Sequence, residues 1–183
     1  FRFQFEHNNT YRSFCDLLYK HPSDVRTIHD IPFLPVEFFK THNVLSSSNT
    51  TQTTFTSSGT TGSVPSKHHV IDLNIYKHSF TLGFQHFYGY IEDYVILALL
   101  PSYLERDSSS LVYMVNTMIQ TSKYSESGFY LDNLDDLKDQ LITLNRSDRK
   151  VLLIGVSFAL LDLVDSHQFK LKNTIIMETG GMK

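Results

Sequence analysis

The chain has 183 residues, 41% hydrophobic and 19% charged, with a formal net charge of −3, a pI near 6.3 and a single cysteine, Cys15. That length accommodates one or two domains with a buried core, and scattered basic residues at this pI remove the electrostatic case for nucleic-acid binding. One cysteine excludes an internal disulfide and suits a reducing compartment.

Apolar residues at Tyr11, Phe14, Leu17 and Leu18 recur at helical spacing, which predicts a helix over Thr10 to Tyr19. Ile31 to Pro35 reads as extended chain leading into a short helix from Val36 to about Thr41, because proline suits the entry to a helix. Ser46 to Thr51 is polar. Residues 1–45 are therefore expected to form an N-terminal helical segment, and residues 46–183 an α/β domain.

In that second part, Thr53 to Ser57 is β-branched and aromatic and predicts a strand, with His68 to Asp72 as its partner. Leu73 to Tyr88 is periodic as a helix through Ile75, Phe80, Phe84 and Phe87. Then come a continuous apolar strand over Tyr94 to Leu100, a helix over Leu111 to Gln120 and a short strand at Phe129 to Leu131. A helix over Leu134 to Leu144, a buried strand over Val151 to Val156, a helix over Ala159 to Val164 and a last strand at Thr174 to Met177 complete the series. Uninterrupted apolar strands alternating with helices predict an α/β fold, a mostly parallel sheet covered on both faces. The longest apolar run, Val95 to Leu100, is too short to span a bilayer. Phe1 to Glu6 lacks the basic-then-apolar layout of a secretory leader. The expectation is a soluble, cytoplasmic protein.

The segment between the first two predicted strands carries the strongest chemical signal. It reads Thr56-Ser57-Ser58-Gly59-Thr60-Thr61-Gly62-Ser63-Val64-Pro65-Ser66-Lys67, almost entirely Ser, Thr, Gly and Lys, without an acidic group. Composition alone fits a plain flexible loop. Glycine also permits the backbone turns that gather N–H groups into an anion-binding concavity, and hydroxyls and a closing lysine add donors and charge. The G-x-x-x-x-G-K-[ST] phosphate loop does not fit, because Gly59 and Gly62 are too close and no lysine follows Gly62.

The Ser-Gly-Thr-Thr-Gly element resembles the phosphate-wrapping signature of the adenylate-forming enzymes. Three further segments narrow the likeness: Leu99 to Arg106 followed by Ser108 to Met114, Gly155 to Leu161, and Ile175 to Lys183, which ends in Glu178-Thr179-Gly180-Gly181-Met182-Lys183. In this order, from about Ile31 to Lys183, they are similar to the acyl-protein synthetase (LuxE) family, the fatty-acid-activating component of bacterial luciferase operons. The resemblance implies part of the N-terminal domain of an adenylate-forming enzyme. In the family the chain runs on into a Tyr-Gly-Met-Thr-Glu segment, similar to the superfamily's AMP- and magnesium-binding motif, and to an acceptor cysteine. The chain is accordingly read as the nucleotide-loop half of a larger enzyme.

The resemblance assigns phosphate contacts to Ser57, Ser58, Gly59, Thr60, Thr61 and Gly62, and a charge on the transferring phosphoryl group to Lys67. Lys67 stands five positions after Gly62 where the superfamily has three, so a solvated lysine is the alternative. Glu178, Thr179, Gly180 and Gly181 are similar to the adenine-side segment. An ordinary strand-to-helix turn is the plainer reading, and Glu178 either contacts ligand or braces the turn. Ser102 and Tyr103, at a strand end that lines the acyl pocket in the superfamily, become acyl-side candidates. Phe80, Phe84, Phe87, Tyr88 and Tyr90 suit a hydrophobic core better than an acyl tunnel.

Nine histidines place no zinc ligands at the required spacing, and no G-x-S-x-G elbow makes Ser102 or Ser157 a hydrolase nucleophile. Cys15, on an apolar helix beside Asp16, has the setting of a core cysteine rather than a thiolate acceptor. The implied activity is ATP- and Mg²⁺-dependent conversion of a fatty acid to an acyl-adenylate, then transfer to a protein thiol, with an acyl-reductase or carrier-protein partner. The rival readings are a ligase loading coenzyme A or a carrier protein, and a catalytically silent binding module of the same fold. Luminescence does not follow from the motifs.

Overall fold

The computed structural model describes residues 1–46, 49–57, 64–100, 108–130 and 133–180. The chain divides into two compact units, Phe1–Tyr76 and Lys77–Lys183.

The smaller unit starts with two helices, α1 (Arg2–His7) and α2 (Asn9–Leu17). Asn8 joins them. Its carboxamide oxygen caps α2 by accepting from the Tyr11 amide at 3.0 Å, and its Nδ2 donates to Gln4 Oε1 at 3.2 Å, so this buried side chain is paired at both ends. Phe5, Tyr11 and Cys15 form the core of the unit, with Phe1, Phe14 and Leu34 packed on it. Tyr11 also donates its hydroxyl hydrogen to the Pro32 carbonyl at 2.7 Å, which pins the extended 31–35 stretch to α2. Helix α2 ends in a Schellman closure: the Lys20 amide donates to Cys15 O and the Tyr19 amide to Asp16 O, with Tyr19 in the left-handed region at φ 53°. The chain therefore turns away at Leu18. Leu17, expected on the apolar face, is 79% exposed. After the short helix α3 (Phe38–Thr41), strands β1 (Thr53–Thr56) and β2 (Lys67–Val70) pair antiparallel as a two-stranded hairpin. Helix α4 (Leu73–Tyr88) follows and runs from one unit into the next.

The larger unit is the α/β layer structure expected from the strand pattern. Its strands are β3 (Tyr94–Leu99), β4 (Gly128–Tyr130), β5 (Lys150–Gly155) and β6 (Thr174–Glu178). They form a parallel sheet in the order β4-β3-β5-β6. Between them run α5 (Ser110–Thr121), α6 (Leu134–Leu144) and α7 (Ser157–Ser166). Successive side chains of a strand point to opposite faces. On one face Val95, Leu97, Leu99, Val151 and Leu153 meet Leu137, Leu141 and Leu144 of α6 and Ala159 and Leu163 of α7. On the other, Ile96 and Leu152 meet Met118 of α5 and Phe84 of α4. Of the aromatic series, Phe84 is core, set edge-on to Tyr94 at 5.4 Å, whereas Phe87 and Tyr90 are exposed. No helix among the described residues is long and apolar enough to cross a membrane.

Side-chain clamps fix the amino-terminal end of this sheet. Asn173 Nδ2 reaches the carbonyls of Leu144, Ser147 and Arg149 at 2.9, 3.2 and 2.7 Å. Asn145 holds the Lys170 carbonyl and the Lys172 amide. Asn173→Ala leaves those carbonyls short of a donor, and the expected loss is about 1–3 kcal/mol of stability. Asn173→Asp, which sets a carboxylate against three carbonyl oxygens, is expected to cost more. Urea unfolding reads both, and a wild-type midpoint for Asn173→Ala would contradict the clamp.

Cys15 has no exposed surface, and burial first of all pushes its thiol above the usual range. It should resist alkylation by iodoacetamide in the folded protein and react once urea unfolds the smaller unit. Rapid labelling of native protein would show that α2 is not packed as described.

Candidate functional site

The hairpin and the carboxyl ends of the parallel strands carry the candidate residues, one group in each unit. In the hairpin, Thr53, Thr54, Phe55 and Thr56 stand opposite Val70, His69, His68 and Lys67. The pairing extends one residue further. The Ser57 amide donates to Ser66 O at 3.0 Å, and Ser57 Oγ accepts from the Ser66 amide at 2.9 Å. Ser57 thus brackets the base of the Ser/Thr/Gly segment, and its hydroxyl hydrogen is not used in that bracket. Ser58, Gly59, Thr60, Thr61 and Gly62 lie outside the described residues.

Lys67 opens β2 directly after the bracket. It is exposed and forms no ion pair among the described residues. Two residues on, and therefore on the same face, His69 hydrogen-bonds Thr54 through Nδ1 at 2.9 Å. Its Nε2 is buried without a hydrogen-bond partner among the described residues. His68 points the other way, its ring 6.2 Å from that of Phe39, as alternation along a strand requires.

In the larger unit, the chain leaves β3 toward β4 and leaves β5 toward β6, in opposite directions across the sheet. The carboxyl ends of β3 and β5 are therefore the switch point at which open α/β sheets leave a crevice. Ser102 and Tyr103, which follow β3, lie outside the described residues.

At the end of β5 the strand closes on Gly155, where an added Cβ would stand 2.9 Å from Leu160 Cγ and 3.2 Å from the Leu99 carbonyl oxygen. A side chain here would push α7 and β3 apart. The Gly155 carbonyl accepts from the Thr179 amide at 3.0 Å, so the turn after β6 is fastened to the end of β5. Glu178 stands opposite Gly155 in the parallel register, and its carboxylate accepts a close hydrogen bond from the Ser157 hydroxyl. Thr179 Oγ1 is buried with no hydrogen-bond partner among the described residues, and Gly180 takes φ +38°. Gly181 lies outside the described residues.

Glu178, Thr179 and Gly180 thus form one turn at a strand end. The partner that sequence reasoning did not assign to them is Ser157. In the sequence Ser157 stands in the Gly155 to Leu161 segment of the family likeness, at the step from a buried strand into a helix. A groove of about 840 Å³ borders the same corner, lined chiefly by Leu160, Leu161, Val164, Phe169 and Ile176, with Ser157 and Glu178 on its wall.

The family described as "Acyl-protein synthetase, LuxE" matches residues 1–177. The match takes in the N-terminal helices as well as the segments from Ile31 to Met177, and it ends before Glu178. No curated protein and no solved structure matches the chain.

Gly155 is the position where this corner tolerates least. Gly155→Ala is expected to lower stability by about 1–3 kcal/mol through overpacking against Leu160 and the Leu99 carbonyl. Denaturant unfolding measures this, and an unchanged midpoint would mean that the β5–α7 junction has slack the distances deny.

Proposed function

The chain belongs to the acyl-protein synthetase, LuxE, family, and we propose that it acts in the ATP-dependent activation of a fatty acid to an acyl-adenylate, the step before acyl transfer to a protein thiol. The observation that carries the reading is the bracketed hairpin. Ser57 and Ser66 close the base of a Ser/Thr/Gly segment, and an exposed lysine with no ion pair among the described residues follows at once.

In the proposed reaction a carboxylate oxygen of the acid attacks the α-phosphorus of ATP, the bond from that phosphorus to the bridging oxygen breaks, and pyrophosphate leaves. The thiol sulfur of an acceptor then attacks the acyl carbonyl, AMP departs and the thiol proton is released. Neither displacement needs a nucleophile from the hairpin or the strand ends. Both need alignment and stabilisation of negative charge. In this reading the hairpin supplies backbone and hydroxyl donors for the phosphates, and Lys67 supplies charge. Held about 4 Å from a phosphate oxygen near the surface, its ammonium interacts by roughly 4 kcal/mol at an effective dielectric of 20.

Magnesium, when bound with the nucleotide, neutralises charge on the departing pyrophosphate. Among the described residues no three His, Cys, Asp or Glu side chains come together as a metal cage. A magnesium ion held mainly by phosphates and waters does not require one.

The Glu178–Gly180 turn serves as the base-side segment. Thr179 Oγ1, buried without a hydrogen-bond partner among the described residues, suits a polar ligand edge. Cys15, enclosed in the smaller unit's core, is not the acceptor in this reading. The acyl group goes to another thiol, and an acyl-reductase or carrier protein is the fitting partner.

The protein is expected to exchange labelled pyrophosphate into ATP only when a fatty acid is supplied with Mg²⁺. Lys67→Ala should lower kcat by about 10- to 100-fold with a smaller effect on ATP affinity, because the charge matters most as pyrophosphate departs. Exchange assays across acids of short to long chain, with calorimetric ATP titration, test both. No exchange with any acid would rule out adenylation.

A further inference from the structure

We propose that Ser157 is a positioning residue for nucleotide binding, acting through Glu178 to hold the Glu178–Thr179–Gly180 turn. The inference rests on the reading of that turn as the base-side segment.

The capping of the helices points to it. Helices α2, α5 and α6 each begin behind a residue that caps them locally: Asn8, Ser109 and Asn133 accept from the amides of Tyr11, Val112 and Asp136. Helix α7, like the short helices α1 and α3, has no side-chain cap. Its N-cap is Val156, whose side chain can accept nothing, and its first turn carries no acidic residue. The negative charge favoured at a helix amino terminus comes instead from Glu178, 21 residues later, through the Ser157 hydroxyl. A local cap would have served α7 alone. The hydrogen bond from the Ser157 hydroxyl to the Glu178 carboxylate ties the start of α7 to the end of β6 and to the turn that follows.

Beyond the strand ladder, two hydrogen bonds among the described residues fasten that turn to the β5–α7 junction: the Thr179 amide to the Gly155 carbonyl, and the Ser157 hydroxyl to the Glu178 carboxylate. Thr179 Oγ1 lies beside them, buried and without a partner among the described residues, a polar group left for something else to satisfy. Gly180 then swings the backbone into the left-handed region. Loss of the Ser157 hydroxyl leaves Glu178 an unrestrained side chain on an edge strand and the turn with one tether.

Ser157 is not placed as a nucleophile. A nucleophile elbow holds its serine in a strained turn, yet Tyr19 is the single non-glycine residue with positive φ among the described residues.

The test uses Ser157→Ala, Ser157→Thr, Glu178→Ala and the Ser157/Glu178 double alanine variant. Amide hydrogen exchange at residues 178–180 reads the position of the turn, calorimetry with Mg·ATP reads affinity, and single-turnover adenylation reads chemistry. Ser157→Ala should raise exchange of the Thr179 amide and weaken Mg·ATP binding, each by about tenfold, with the chemical rate within about threefold of wild type. Ser157→Thr should restore both, and the double variant should bind no more weakly than Glu178→Ala. Unchanged exchange and affinity in Ser157→Ala, while the wild type binds Mg·ATP, would overturn this inference and leave the adenylation reading standing. A chemical rate lost with affinity intact would overturn it in favour of a direct catalytic role for Ser157. A wild type that binds no nucleotide, with exchange still responding to Ser157→Ala, would sink the functional reading and reduce the tether to a fold element.

Discussion

With Val95 to Leu100 and Val151 to Ile154 shielded from water, the two central strands of the larger unit have no side left to solvent, and the placement of its helices follows from that burial. A strand buried on both faces must be covered twice. Leu97 and Leu153 belong to the cluster that holds Leu137, Leu141 and Leu163 of α6 and α7, and Ile96 and Leu152 to the one that holds Met118 of α5 and Phe84 of α4. Fully burying one such side chain contributes roughly 1.5–3 kcal/mol, so two consecutive strands of them outweigh any single hydrogen bond in the unit. Ligand-facing chemistry is thereby pushed to the strand ends and the loops that follow them.

The two ends of the sheet are built differently. At the amino-terminal end, Asn145 and Asn173 fasten the α6–β5 turn to the chain entering β6, and Ser122 and Ser127 bind the Tyr94 carbonyl and the Ile96 amide. These are polar side chains saturating backbone groups, a structural use. At the carboxyl-terminal end the described residues include groups of another kind: a glycine closely approached by Leu160 and the Leu99 carbonyl, a serine–carboxylate pair and a buried hydroxyl without a hydrogen-bond partner among the described residues. Such groups make poor stabilisers, because a buried polar atom left unpaired costs about 1–3 kcal/mol.

The smaller unit solves a different problem. A two-stranded hairpin is marginal alone, and this one is supported within its own unit. Phe55 is buried and lies 5.2 Å from Tyr76, and His68 rests near Phe39. The faces of the hairpin are thus divided, with Phe55 and Val70 turned to packing and Lys67, His69 and Thr54 on the other side. Lys67, at the end of that second face, is exposed, and the adenylation reading uses its charge.

Local pattern was enough for the elements themselves. Helix α6 and helix α4 run over the residues that their periodicity marks, and the continuous apolar runs at Tyr94 and Val151 became the central strands, because burial on both faces writes itself into composition. The hairpin was legible for the same local reason: the β-branched and aromatic run Thr53 to Ser57 and the short stretch His68 to Asp72 flank the Ser/Thr/Gly segment. Helix α1 was not, since Phe1, Phe3 and Phe5 alternate as a strand would. Packing of Phe1 and Phe5 against Tyr11 is what selects the helix, leaving Phe3 exposed. Leu17 looked like core and is not, because the closure at Tyr19 turns the chain away. Strand order was decided in three dimensions, and with it the meeting of Ser157 and Glu178. Those two residues are 21 apart in sequence and become neighbours only because β5 and β6 pair in parallel with Gly155 opposite Glu178. Hydrophobic periodicity is a property of neighbouring residues and survives in the sequence. The register between distant strands is set by the sum of their packing, and no short stretch of residues contains it.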